Sequence, residues 1–125
     1  MQQLEYNPSG YGRAANEYEL YKLLDAAHIG LENLQHEYWF VPKVCRIDYY
    51  GVDPKTNKKI LVEVKNWFVK IDYMRQLITY LVHATELYGE NGFKLILIAG
   101  GILDSRRAIL TKLGIQVYLT KELIK

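Results

Sequence analysis

Cysteine is almost missing from this chain of 125 residues: Cys45 stands alone, so no internal disulfide can form. There is no Cys-x-x-Cys pair and no cluster of its three histidines, which argues against structural zinc. Cys45 then reads as a small packing residue in or beside a strand. No apolar run approaches the length of a bilayer span. The opening Met1-Gln2-Gln3-Leu4-Glu5-Tyr6-Asn7-Pro8 is polar where a signal peptide would be apolar. The expectation is a soluble, cytoplasmic protein with no membrane partner. Neither sign of charge dominates, since a net charge of +2 comes from intermixed residues. The concentrated basic patch of a dedicated nucleic-acid binder is therefore lacking, although a local one remains open. Internal repeats and low-complexity segments are lacking too.

What is present is apolar material, half of the residues, enough for one domain that buries roughly two thirds of the surface its unfolded chain exposes. Residues 1–10 read as a flexible lead-in closed by Asn7-Pro8-Ser9-Gly10, and residues 11–125 as a single domain. A helix is expected after Gly12 to about His28, with Glu17, Leu20, Leu24 and Ala27 on one stripe. Ile29 to Gln35 reads as a loop or short helical turn, and Glu37 to Val41 as a first strand that Pro42 ends or bends. A β-hairpin follows. A second helix runs from a cap at Asp72 to about Tyr88, its apolar spacing being Met74, Leu77, Ile78, Leu81, Val82 and Thr85. Gln76, Tyr80 and His83 flank that stripe. Phe93 to Ala99 is a continuous apolar run of the kind a buried central strand makes. Asp104 or Ser105 opens a short helix that Gly114 closes, and Ile115 to Leu119 is the last strand. The order α-β-β-β-α-β-α-β gives an α/β fold, a mixed five-stranded sheet flanked by helices.

The hairpin, Arg46 to Trp67, carries the chemistry. Proline and Asx turn chemistry place its turn at Asp53-Pro54-Lys55-Thr56-Asn57. Alternation on the first strand groups Arg46, Asp48 and Tyr50 on one face and Ile47 and Tyr49 on the other. On the second strand Leu61, Glu63, Lys65 and Trp67 share a face. A turn symmetric about Lys55 and Thr56 sets Asp48 against Glu63, with Lys65 one same-face step beyond. Two facing carboxylates repel, and a divalent cation between them is the natural remedy. The plainer reading puts Glu63 and Lys65 on a solvated face, which Leu61 and Trp67 on that face oppose. Glu17 likewise has two readings, a site residue or a carboxylate near a helix start, where the dipole favours it.

Asp48, followed fifteen residues on by Glu63-Val64-Lys65, resembles the Asp…Glu-x-Lys signature of the PD-(D/E)XK nuclease superfamily, whose core has the same succession of elements. The proline usual before the aspartate is Ile47 here. The helix Gly12 to Leu24 is similar to the opening helix of archaeal Holliday-junction resolvases, whose glutamate falls at Glu17. Gln76-Leu77-Ile78-Thr79-Tyr80 looks like the Gln-x-x-x-Tyr motif of RecB-like nucleases. The resemblance implies a restriction-endonuclease-like core and a magnesium-dependent DNA endonuclease in which manganese substitutes, with a structure-specific enzyme such as a Holliday-junction resolvase as the first candidate. It implies Asp48, Glu63 and the Val64 carbonyl as metal ligands, with Glu17 holding a second metal or a metal-bound water. Lys65 would orient the attacking water or stabilise the phosphate, Gln76 would support Lys65 or the phosphate, and Tyr80 would pack or stack beside the site. Arg13, Lys43, Arg46 and Lys70 are the expected phosphate contacts, each otherwise an ordinary surface cation. DNA is the expected partner. A homodimer would supply the surface that a domain of this size lacks. The alternatives are a restriction, repair or RecB-like nuclease, an inactive nucleic-acid-binding module of the same fold, and an α/β interaction protein with a chance motif.

Overall fold

The computed structural model describes residues 32–123. The expected first helix, with Arg13 and Glu17, lies outside them, as does the lead-in.

Five strands form one sheet in the order β1-β2-β3-β4-β5: β1 (Glu32–Val41), β2 (Cys45–Val52), β3 (Lys59–Phe68), β4 (Phe93–Gly101) and β5 (Gln116–Leu119). The first three make an antiparallel meander, and β3, β4 and β5 run parallel. Parallel neighbours need crossovers, supplied by α1 (Ile71–Tyr88) and α2 (Asp104–Lys112). A single turn, α3 (Thr120–Leu123), follows β5. The mixed sheet flanked by helices is the expected one.

Local chemistry explains the connections. In the β2–β3 turn Asp53 Oδ1 accepts the Lys55 N–H at 2.8 Å, the Asx bond that its side chain and Pro54 predispose. Asn57 completes the turn with φ +63°, a left-handed conformation that asparagine tolerates. Gly89 and Gly114 end α1 and α2 at φ +84° and +92°.

One core cluster joins Leu61, Leu95, Leu97 and Ala99 of the sheet to Met74, Leu77, Tyr80 and Ala84 of α1, with Leu110 of α2. Cys45 is fully buried in it, as its composition suggested. Tyr49, Ile60, Val62, Ile96 and Ile98 are buried outside that cluster, so the middle of the sheet is covered on both faces.

Four expectations need correction. The first strand begins at Glu32, not Glu37. Its polar residues are poor strand formers, and pairing with β2 overrides that preference. On α1, Ile78 and Val82 are exposed, because the buried side runs through Met74, Leu77, Tyr80 and Ala84. The helix also starts before Asp72, at an extended Lys70 with no side-chain cap, and Asp72 pairs instead with Arg75. Finally, Cys45, Ile47 and Tyr50 belong to one cluster and Tyr49 does not. The three-residue step from Ile47 to Tyr50 breaks strict alternation, so Tyr50 does not share a face with Arg46.

Candidate active site

That break is centred on Asp48, and it has a cause in the backbone. The β2–β3 ladder runs through Val52↔Lys59, Gly51↔Ile60, Tyr50↔Leu61 and Tyr49↔Val62. Symmetry about Lys55 and Thr56 therefore holds, and the next opposed residues are Asp48 and Glu63. Here side chains take over from main chain. The Asp48 N–H donates to Glu63 Oε1 at 2.8 Å, and the Val64 N–H donates to Asp48 Oδ2 at 2.8 Å. Each carboxylate thus satisfies an amide of the opposite strand that the ladder no longer serves.

The irregularity extends across a third strand. Pairs His36↔Tyr49 and Tyr38↔Ile47 leave Glu37 opposite Asp48, and Glu37 adopts φ +51°, a costly conformation for a residue with a long side chain. The opened β2–β3 ladder and the left-handed Glu37 thus lie at one level, where each of three neighbouring strands has an acidic residue.

Burial and mutual repulsion set the electrostatics. Glu63 is only 6 % exposed; burial first, and then the Asp48 charge, push its pKa up to about 8, against the opposing effect of the Asp48 N–H and the Tyr73 hydroxyl. Asp48 is also raised, mainly by burial, with the Val64 N–H pulling the other way and Glu37 adding repulsion. Both shifts favour a proton on the pair in the absence of a cation.

Lys65 and Tyr73 complete the cluster. Tyr73, in the first turn of α1, donates its hydroxyl to Glu63 Oε2 at 3.1 Å. Its ring centre lies 5.0 Å from Lys65 Nζ. Burial and the neighbouring carboxylates raise the Tyr73 pKa, so the phenol remains a donor. Sequence reasoning missed this residue. The signal available was the i, i+3, i+7 spacing of Tyr73, Gln76 and Tyr80 once α1 is known to begin at Ile71.

The structure places the other expected residues less centrally. Tyr80 is buried, packs edge-on against Phe40 and donates its hydroxyl to the Arg46 carbonyl at 3.0 Å. Gln76 is exposed and donates to the Tyr80 hydroxyl at 3.2 Å. Arg46 lies over the exposed Trp39 ring and 3.8 Å from Glu37. Lys43 sits exposed in the β1–β2 turn, and Lys70 is exposed at the entry to α1. Among the described residues no group of three acidic, histidine or cysteine side chains converges as a ready-made metal cage. Two hard carboxylates suit magnesium, which uses one or two and keeps several waters.

No family model matches the sequence. No curated protein matches it either. Solved structures do match. One is a repair endonuclease from Pyrococcus abyssi, with a TM-score of 0.66 at 22 % identity, covering 83 % of this chain and 46 % of that one. Another is EndoMS in complex with double-stranded DNA, with a TM-score of 0.64 at 21 % identity, covering 83 % of this chain and 44 % of that one. EndoMS in its apo form matches with a TM-score of 0.56 at 20 % identity. The chain spans less than half the length of the proteins it matches, and what it shares with them is the fold of these endonucleases.

Proposed function

We propose that this chain is a metal-dependent DNA endonuclease domain of the PD-(D/E)XK type, with Asp48, Glu63 and Lys65 as its catalytic residues. The observation that carries the reading is the carboxylate pair, Glu63 buried and Asp48 half-buried, at the point where a ladder opens, with a lysine two residues beyond. Solvated hairpin carboxylates do not arrange themselves so. Burying two like charges side by side is costly, and a bound cation reverses that cost.

In this reading Asp48, Glu63 and the Val64 carbonyl hold magnesium, with Glu17 as a further acidic ligand. The metal, when bound, neutralises phosphate charge and lowers the pKa of a water. The chain's own residues do the rest. The backbone amides of Asp48 and Val64 fix one oxygen of each carboxylate and so aim the remaining lone pairs. Lys65, a compact flexible charge, orients the attacking water or stabilises the phosphate. Gln76 acts through Tyr80, which steadies the β2 backbone at Arg46. Lys43, Arg46, Lys70 and Arg13 contact phosphates.

Duplex DNA of the kind met in repair is the favoured substrate, because the fold neighbours are a repair endonuclease and a complex with double-stranded DNA. A Holliday junction is the second reading and rests on the sequence around Glu17. A symmetric homodimer would place two sites on one duplex.

The test is cleavage of labelled duplex, junction, flap, single-stranded DNA and RNA with magnesium or manganese, wild type beside Lys65→Ala. Duplex cleavage that needs the metal and disappears in Lys65→Ala is expected. Equal cutting by both proteins, or cutting in chelator, would sink the assignment. Sedimentation with DNA present should show a dimer.

A further inference from the structure

Tyr73 touches both halves of the site at once, and nothing in the assignment above uses it. Glu63 has both oxygens engaged by hydrogen bonds, Oε1 by the Asp48 N–H and Oε2 by the Tyr73 hydroxyl. The first bond comes from a neighbouring strand and fixes where the carboxylate sits. The second comes from a separate element, the helix that packs on the same face as Leu61, and fixes how the carboxylate plane is turned. The same ring presents its face to Lys65 Nζ at 5.0 Å, within the range of a cation–π contact. A long lysine has several rotatable bonds, and a ring beneath its ammonium restricts them.

We propose that Tyr73 is the positioning residue of the site, its hydroxyl orienting Glu63 for the metal and its ring seating the Lys65 ammonium. This rests on the nuclease reading and deepens it. Groups that hydrogen-bond a metal ligand fix its orientation, and losing one typically costs about 10–100-fold in metal affinity or activity. Tyr73 differs from an ordinary partner of that kind because one side chain serves two residues, Glu63 and Lys65, by two different interactions that substitution can separate.

Tyr73→Phe keeps the ring and removes the hydroxyl; Tyr73→Leu removes both. The measurements are calorimetric titration of Mn2+ into the full chain and single-turnover duplex cleavage at saturating Mn2+, with melting in chelator to verify folding. Phe should weaken Mn2+ binding by about tenfold or more. Leu should weaken it equally and also cut about two- to fivefold more slowly than Phe at saturating metal, a rate that the aromatic ring of Phe restores. Should Leu not fold, Tyr73→Met takes its place. An unchanged or lower Kd in Phe overturns the role of the hydroxyl, and equal rates in Phe and Leu overturn that of the ring. A wild type that binds and cuts while Phe matches it in every measurement defeats this proposal alone. A wild type that neither binds Mn2+ nor cuts defeats the nuclease reading, and this one with it.

Discussion

The two ends of the β2–β3 hairpin are built from the same two strands and by opposite means. At the turn end, from Tyr49↔Val62 to Val52↔Lys59, main chain bonds main chain, and Asp53 closes the turn on itself. At the other end, one residue further on, Asp48 and Glu63 take over the amides and the backbone of Glu37 is left-handed. A regular ladder satisfies every polar group locally and leaves none free for a ligand. Replacing its last pair with crossed carboxylates keeps the amides satisfied and concentrates negative charge where a cation can use it. The turn end stabilises the hairpin; the open end holds charge that a metal-free protein stabilises only by binding a proton.

The largest expected effect breaks the open end. Glu63→Gln and Asp48→Asn keep the shape of the site and remove the charge that would hold the proposed metal; each should lower metal-dependent cleavage by about 100-fold or more, as losing one charge-stabilising group commonly does. The Gln and Asn side chains still accept the Asp48 and Val64 N–H groups, so both proteins should fold. Cleavage within a few-fold of wild type in both would remove the distinction between the two ends.

Next in size is the pH dependence of stability without metal. Glu63 titrates near 8 in the folded protein and near its ordinary 4.5 when unfolded, so the folded state binds the extra proton between those values. That contribution is fully present below about pH 4.5 and is lost as pH rises through about 8. In chelator the melting temperature should therefore fall between pH 5 and 8, and Glu63→Gln should flatten the slope. The turn end offers a control: Asp53 is lowered by the Lys55 N–H, so its contribution is present at neutral pH and is lost only as pH falls through its own acidic range. A wild-type melting curve that is flat from pH 5 to 8 would contradict the buried charge pair.

How much of this was legible beforehand follows from the same contrast. The opposition of Asp48 and Glu63 was readable because a hairpin's register is set by its turn, and Pro54 with Asp53 fixed the turn. The element order was readable for the described residues because apolar periodicity marks the elements and glycines mark the ends of α1 and α2. The phase change after Ile47 was not, because it depends on hydrogen bonds between side chains and amides distant in sequence. Nor was the left-handed Glu37, which no local preference favours. The exposed Ile78 and Val82 were misread because apolar residues lie on more than one side of α1, and only packing selects between them. Tyr73 escaped notice for a related reason: its contact with Glu63 depends on a helix start that lies ahead of Asp72.

A smaller effect separates the ends through the backbone. Asn57 and Glu37 both have positive φ, one in the turn and one beside the site. A β-branched residue tolerates this conformation poorly, so Asn57→Val should destabilise by about 1–2 kcal/mol in denaturant titration and leave cleavage rates alone. Glu37→Gly is the finer instrument. Glycine removes the left-handed penalty, at some cost in unfolded-chain entropy, so its net effect on stability should be under about 1 kcal/mol. It also deletes a carboxylate whose charge raises the Asp48 pKa, together with the 3.8 Å partner of Arg46. Asp48 should then ionise at lower pH, and the acidic limb of the cleavage profile should move toward lower pH by less than about one unit, a small shift because burial, and not Glu37, is the main cause of the raised Asp48 pKa. A limb that stays fixed would mean that Glu37 stands beside Asp48 without contributing to its charge balance.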